Sequence, residues 1–199
     1  MQQQLTDDEL KGEMMIFDSI VDLFPEPRRS LVKKMMEGPV GQAYFIAPAS
    51  SRLEFHSCFP SGLLVHSVNV VKNLRRIAKA LSPGKYDDAT LGFVGLFHDL
   101  GKAGDGTQEM YLPEQSEWHR NKLGQMYQIN KDLQYMPTSE RGLYVLQKNG
   151  IEVSTDEYLA IRLNDGMYDQ TNKNYAMKEP GLALLVHFAD RWSCELEKS

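Results

Sequence analysis

Apolar and polar residues alternate along most of the chain with the period of an amphipathic helix. In "TDDELKGEMMIFDSIV" an apolar residue recurs about every three or four positions, and Thr6 with Glu9 forms a capping-box signature at its start. Gly, Pro or Asn residues end several of the later periodic segments. The pattern predicts an all-α protein of six or seven helices, over about 7–23, 28–36, 61–81, 88–101, 139–148, 155–163 and 180–197.

Two segments lack this period. Residues 40–60, "VGQAYFIAPASSRLEFHSCFP", are predicted to be irregular or partly extended, and Ser61 is predicted to cap the helix that follows. Residues 102–136 are polar and long for a connection within a compact domain, which is typical of a functional lid. Within this lid segment, "QMYQIN" is predicted to form a short strand.

The composition suits one structural domain. A length of 199 residues and a hydrophobic content of 42% are enough for a sizeable core. We expect residues 1–60 to supply N-terminal helices and an irregular segment that pack on a core formed by residues 61–199. A net charge of −5 argues against general nucleic-acid binding, but it leaves room for a local cationic pocket that binds one phosphorylated small molecule. Whether the chain forms an oligomer stays open.

Several features bear on where the protein works. No apolar stretch reaches the roughly 18 residues of a membrane span, and no basic start followed by an apolar run marks a secretion signal. The two cysteines, Cys58 and Cys194, lack the spacing of a metal or redox motif, which indicates free thiols in a reducing compartment. We therefore expect a cytoplasmic protein with no membrane partner.

Three predicted helices carry ionisable residues where the pattern calls for apolar ones. His66 lies in "GLLVHSVNVV", His98 and Asp99 lie in "VGLFHDLG", and Asp190 lies in "LALLVHFADRW". A single histidine of this kind is more often a hydrogen-bonded core residue, but a buried unpaired carboxylate is strongly destabilising. Two imidazoles and two carboxylates on separate helices form a set that a divalent metal would stabilise. Mixed nitrogen and oxygen ligands favour Mn, Fe, Co, Ni or Zn over Ca, with Mg as a further candidate.

In this order and context, the four residues resemble the ligand set of the HD-domain superfamily of metal-dependent phosphohydrolases. "GLLVHSVNV" is similar to the family's first-ligand helix, "GLFHDLGKAG" to its His-Asp segment and "LLVHFADRWS" to its last-ligand helix. The resemblance covers residues 61–195, and "SEWHRNKLGQMYQIN" is similar to small phage-encoded members. It implies a compact helical bundle with the polar loop or a short hairpin covering the site. It also implies hydrolysis of a nucleotide, or of a related phosphate ester or anhydride, through a metal-activated water.

The resemblance implies catalytic roles as well. It makes His66, His98, Asp99 and Asp190 the metal ligands, and it makes Asp99 the first candidate for orienting the attacking water. Lys102, one turn beyond His98, would hold a phosphate oxygen, or would act only as a favourable cation at a helix C-terminus. His119 is the candidate acid for the leaving oxygen, with an exposed loop histidine as the alternative.

Residues near His119 are candidates for substrate binding. Trp118 and Tyr111 would stack on a base, or would only pack over the core. Arg120 and Lys122 would bind an anionic substrate, or would simply be solvated. Dinuclear members of the family supply extra histidines, of which His119 would be the first. Asp165 stands where the second is expected, so a second metal at His119 and Asp165 is the weaker alternative to a single ion.

The expected enzyme is a nucleotidase, a triphosphohydrolase or a phosphodiesterase, and its expected partner is a small-molecule nucleotide or phosphate ester. Three alternatives stay open: an HD-type di-iron oxygenase, a catalytically inactive nucleotide-binding module, and a structural role in which the polar residues satisfy one another. His187 is interpreted as a core or surface histidine rather than as a partner of Asp190. His56 lies in the irregular segment and is given no role.

Overall fold

The computed structural model describes residues 5–198, and this part of the chain is mostly helical, which confirms the all-α prediction. Besides its α-helices, this part of the chain contains short 3-10 helices at Leu100–Ala103, Gly166–Tyr168 and Gln170–Tyr175. Two strands, β1 and β2, cover Tyr111–Pro113 and Tyr127–Ile129. None of the described helices combines the length and the apolar character needed to cross a membrane. The α-helices are α1 Asp7–Val21, α2 Arg28–Glu37, α3 Pro39–Ile46, α4 Gly62–Leu81, α5 Asp88–Phe97, α6 Glu117–Leu123, α7 Thr138–Lys148, α8 Thr155–Arg162 and α9 Gly181–Leu196.

Helix α4 is the centre of the molecule. It packs most extensively against α9 and α5, and α1 and α3 also lie against it. Its apolar residues occupy more than one stripe, because Leu63, Leu64, Val70 and Val71 are all fully buried. A helix surrounded in this way holds any polar side chain on its inner faces away from water.

The N-terminal helices belong to the same hydrophobic core as the rest of the chain. Both bonds of the predicted capping box form at the start of α1: the Glu9 N–H donates to Thr6 Oγ1, and the Thr6 N–H donates to Glu9 Oε2. Phe17 of α1 packs edge-on against Phe97 of α5, with ring centroids 6.3 Å apart. The buried Tyr44 of α3 donates its hydroxyl to the Leu96 carbonyl at 2.9 Å. Residues 5–46 therefore support the turn that leads into His98.

The prediction of an irregular segment was wrong at its start, and the helix cap predicted after it is confirmed only in position. Residues 39–46 form α3, which begins with Pro39 at a first-turn position where its missing N–H is tolerated. The helix was missed because it is short and buries Val40, Ala43 and Tyr44 on more than one side, so no clear stripe appears. Ser61 does stand at the N-cap of α4, but its φ is 68° and its side chain makes no capping hydrogen bond.

The predicted lid segment has structure of its own. Strands β1 and β2 pair antiparallel, with Tyr111 opposite Ile129 and Pro113 opposite Tyr127, so the strand predicted in "QMYQIN" is confirmed. The short helix α6 lies between them and was not predicted. It begins at Ser116, whose hydroxyl accepts a hydrogen bond from the His119 N–H at 3.3 Å. The hairpin is tied to the irregular segment, because the Met126 N–H donates to the Ser51 carbonyl at 2.9 Å.

Gly101 fixes the packing of the turn that follows His98 and Asp99. It lies in the 3-10 helix Leu100–Ala103, which packs on α7. A Cβ placed there would collide with the Thr138 carbonyl oxygen and would lie 3.0 Å from the Gly142 nitrogen. Because both atoms belong to the backbone of α7, they cannot move aside without shifting that helix.

We expect Gly101→Ala to lower the free energy of unfolding by about 1–3 kcal/mol, the usual effect of overpacking a well-packed interior. Gly12→Ala in α1 is the matched control, because a Cβ there meets no atom within 4 Å and Ala favours a helix interior by about 1 kcal/mol. Urea denaturation followed by circular dichroism measures both variants. An unchanged midpoint for Gly101→Ala would contradict this account of the turn.

Candidate metal centre

Three helical elements bring the four predicted ligands together. His66 comes from the second turn of α4, His98 and Asp99 directly follow α5, and Asp190 comes from the middle of α9. The His66 and His98 side chains are fully buried, and the side chains of Asp99 and Asp190 are only 9% and 13% exposed. The carboxylates thus lie in the interior, as the sequence pattern predicts.

The four side chains face one another. His66 Nε2 lies 3.1 Å from Asp190 Oδ1 and 3.7 Å from Asp99 Oδ2. His98 Nε2 lies 3.6 Å and 3.5 Å from the same two oxygens. One donor atom each from His66, His98 and Asp190 falls within 4.8 Å of the others, which is close enough for one ion to contact all three.

His98 supplies the clearest sign that a cation fits. Its Nδ1 donates to the Gly95 carbonyl at 2.8 Å, which turns Nε2 toward the two carboxylates. This buried Nε2 makes no hydrogen bond of ordinary length within residues 5–198, since the nearest carboxylate oxygens lie 3.5 Å and 3.6 Å away. Burial lowers the pKa of the ring, but the charges of Asp99 and Asp190 raise it more strongly. A divalent cation held with nitrogen and carboxylate donors would take the place of a proton on Nε2, so the residues present fit a metal.

A carboxylate behind His66 orients its ring. His66 Nδ1 donates to Glu197 Oε2 at 3.0 Å, which turns Nε2 toward Asp190. Glu197 is itself held by the Ser57 hydroxyl at 2.7 Å and by Asn69 Nδ2 at 3.0 Å. Carboxylates placed in this way fix the tautomer and raise the basicity of a ligating imidazole. Sequence reasoning missed Glu197, although this C-cap residue of α9 lies seven residues, or about two helical turns, after Asp190.

The charges of the centre compensate one another. Burial raises the pKa of Asp99, but Lys102, whose Nζ lies 2.6 Å from Asp99 Oδ2, and His98 outweigh it and hold the pKa below its ordinary value. Burial likewise opposes ionisation of Asp190, yet the hydrogen bond from His66 and the His98 ring nitrogen 3.6 Å away keep its pKa well below the usual range. Burial lowers the pKa of His66, whereas Asp190 and Glu197 raise it more strongly, to about 9. A cation that binds here must therefore displace a proton from His66.

The two residues of the predicted second metal site have different surroundings. Burial, and after it the charge of Asp99, raises the pKa of Asp165, which places that carboxyl near the centre. His119 lies on α6 with its side chain 43% exposed, and its Nδ1 is 3.4 Å from Glu114 Oε2. In the described part of the chain, neither His119 nor Asp165 belongs to a compact group of three metal-ligating side chains. A metal site at this pair stays a prediction, as does the role of His119 as an acid.

The predicted substrate-binding residues of α6 lie at the surface. Trp118 is 60% exposed, Lys122 is exposed, and the Arg120 guanidinium donates to the Glu114 carbonyl at 2.7 Å. Their roles also stay predictions. A cavity of about 210 Å³ lies instead beside Lys102, and its lining includes Glu109, Tyr111 and Tyr127. Sequence reasoning missed this cavity because its walls come from separate elements.

Two residues that the sequence analysis left without a site role do lie at the centre. The ring of His56 lies against that of His66 at an interplanar angle of 42°, with the ring centroids 4.5 Å apart. Cys194 Sγ lies 3.4 Å from Asp190 Oδ1, and its spacing of four residues from Asp190 was a signal that could have found it. His187, by contrast, bonds through Nδ1 to the Asn164 carbonyl at 2.7 Å, which agrees with its interpretation as a structural histidine.

The chain was compared with protein families and with known proteins. The family model described as "HD domain" matches residues 63–193, more than half of the chain, and the matched range contains His66, His98, Asp99 and Asp190. No curated protein and no solved structure matches the chain.

We expect Glu197→Ala to weaken Mn²⁺ binding by about 10–100-fold, because loss of a hydrogen-bonded partner behind a ligating histidine has effects of this size. Glu197→Gln should restore part of the affinity, since its amide oxygen still accepts the hydrogen bond from His66 Nδ1. Isothermal titration calorimetry with the metal-free protein measures the affinity. Glu195→Ala, which removes an exposed partner of Lys198, is the control; equal affinities for the two alanine variants would reject the positioning role of Glu197.

Proposed function

The chain belongs to the HD-domain family, and from this premise we propose that it is a phosphohydrolase that acts on a nucleotide or a related phosphate ester or anhydride. Members of the family are in general metal-dependent hydrolases. The single observation that best supports the proposal is the convergence of His66, His98, Asp99 and Asp190 around the unpartnered Nε2 of His98. Two imidazoles and two carboxylates that face one another from three elements are the kind of donor set that binds a divalent cation.

The proposed roles follow from the contacts of each residue. His66, His98, Asp99 and Asp190 would hold a divalent transition metal, with Mn, Fe, Co, Ni, Zn or Mg as the candidates. Such an ion lowers the pKa of a water molecule and polarises a phosphoryl oxygen. Asp99 would accept a hydrogen bond from the attacking water through its carboxylate. Lys102 Nζ, which pairs with Asp99 Oδ2 at 2.6 Å, would contact a phosphate oxygen and balance its charge.

The cavity beside Lys102 supports a substrate with a flat leaving group. Lys102 lines this cavity and also touches Asp99, so one side chain joins the cavity to the candidate centre. Tyr111 and Tyr127 stand on neighbouring strands with ring centroids 6.3 Å apart, and such rings offer a surface on which a base can stack. Glu109 adds an acceptor for an amino or hydroxyl group. These features favour a nucleoside moiety over a small aliphatic alcohol.

Hydrolysis that depends on a divalent metal, measured as phosphate release or as phosphodiester cleavage of a nucleotide, is the direct test. We expect chelation to abolish turnover of at least one member of a panel of nucleotides, deoxynucleotides and cyclic nucleotides, and Mn²⁺ or Co²⁺ to restore it. Asp190→Ala should lose both the metal and the activity, whereas the exposed Asp156→Ala should keep both.

Other outcomes would select the alternatives. Oxygen consumption by the iron-loaded protein without phosphate release would indicate the oxygenase branch. Nucleotide binding without turnover under every metal would indicate a binding module. A protein that retains no metal after loading and dialysis would contradict the proposal, because the proposed reaction requires a bound metal.

Lys102 offers a second test, with opposite effects on two measured quantities. Because its cation competes with a metal for Asp99, we expect Lys102→Met to bind Mn²⁺ at least as tightly as the wild type. Turnover should nevertheless fall by about 10²–10³-fold, the usual effect of removing one group that stabilises transition-state charge. The exposed Lys79→Met is the control for lost surface charge. Weaker Mn²⁺ binding with unchanged turnover per bound metal would mean that Lys102 only pairs with Asp99 and does not contact the substrate.

A further inference from the structure

We propose that His56, His66 and Cys194 form a second, thiol-containing ligand set that binds a thiophilic ion such as Zn²⁺ in competition with the first set. This inference goes beyond the proposed function, since none of its arguments uses the reaction. It rests on the placement of three donors, on the hydrogen bonds that each donor makes or lacks and on the residue that the two sets share.

The donors lie close enough to share one ion. One ring nitrogen each of His56 and His66 and the sulfur of Cys194 all fall within 4.8 Å of one another. The irregular segment supplies His56, α4 supplies His66 and α9 supplies Cys194, so three separate elements meet at this point. The Ser50 hydroxyl donates to the His56 carbonyl at 2.7 Å and helps to hold the backbone that carries the imidazole.

His56 has a nitrogen available for a ligand. Its Nε2 is buried and finds no hydrogen-bond partner in the part of the chain that the structure describes. Its ring lies against that of His66, with the two centroids 4.5 Å apart. An imidazole nitrogen without a hydrogen-bond partner can serve as a metal ligand. A core histidine with a structural role would have this nitrogen satisfied by a neighbour.

Cys194 gives the set its selectivity. It forms no disulfide, and its Sγ lies 3.4 Å from the carboxylate oxygen of Asp190. Thiolate ligands select Zn²⁺ and other soft ions, whereas carboxylates suit harder ones. When a metal binds, the Cys194 thiol loses its proton to solvent and the sulfur donates its electron pair to the ion, with no change of oxidation state.

The two ligand sets exclude each other because both contain His66. Glu197 holds Nδ1 of that ring, which leaves one nitrogen for a metal. An ion bound by His56, His66 and Cys194 therefore occupies His66 Nε2, the nitrogen that faces Asp190. That nitrogen is then no longer available to an ion in the first set. The expected consequence is that Zn²⁺ displaces Mn²⁺ and inhibits any activity that depends on Mn²⁺.

Co²⁺ is a suitable probe because a cobalt–thiolate bond gives a charge-transfer absorption in the near ultraviolet. We expect the metal-free protein to develop this absorption on titration with Co²⁺, and Cys58→Ser, the control, to develop it equally. Cys194→Ser should lose it. Competition measured by electron paramagnetic resonance of Mn²⁺ should show that Zn²⁺ displaces Mn²⁺ at least about 10-fold less effectively from Cys194→Ser, since even outer partners of a ligand contribute 10–100-fold.

Each other outcome would overturn the inference. Absence of the thiolate band in the wild type excludes Cys194 as a ligand, while Mn²⁺-dependent phosphate release measured in parallel decides the proposed function separately. Equal weakening of Mn²⁺ and Zn²⁺ binding in Cys194→Ser would mean that the thiol belongs to one common site. If Cys194→Ser does not fold, His56→Ala takes its place, and unchanged Zn²⁺ affinity in that variant rejects the set.

Discussion

The structure depends on placing two ionised carboxylates, Asp99 and Asp190, inside a helical core. An isolated buried carboxylate would be neutralised by a shift of its pKa, because a low-dielectric interior strongly disfavours the charged form. Here Lys102, His66 and His98 supply the opposite charge at distances between 2.6 and 3.7 Å. Because this balance requires several elements at once, it fixes how α4, α5 and α9 pack on one another.

The need to compensate charge at the centre also explains why residues far apart in the sequence contribute to it. The irregular segment after α3 supplies Ser57 and His56, and the end of α9 supplies Glu197. Ser57 adopts a φ of 44°, a left-handed conformation that is unfavourable for a residue with a side chain. Its hydroxyl nevertheless reaches Glu197 from that position. The N-terminal part of the described chain thus helps to orient His66 in addition to covering the core.

Sequence reasoning found the parts of the fold and of the centre that obey a helical period. Asp190 stood out because it interrupts an apolar stripe, and the strand of "QMYQIN" stood out from the polar segment around it. Glu197 and Cys194 follow the same period, yet a carboxylate near a helix end and a lone cysteine are too common to be singled out without a known neighbour. Helix α3 was not predicted because it is buried on several sides and so shows no single apolar stripe.

His56 could not be placed from the sequence for a different reason. Its segment has no repeating geometry, so its proximity to His66 depends on long-range backbone bonds, such as that from the Ala49 N–H to the Ser57 carbonyl at 3.0 Å. Those bonds bring a neutral imidazole and, from α9, a protonated thiol against a charged centre. The nitrogen and oxygen donors are already balanced by internal ion pairs, whereas His56 and Cys194 carry no charge. With the proposed second ligand set, the identity of the arriving ion, rather than a rearrangement of the helices, would decide which donors bind it.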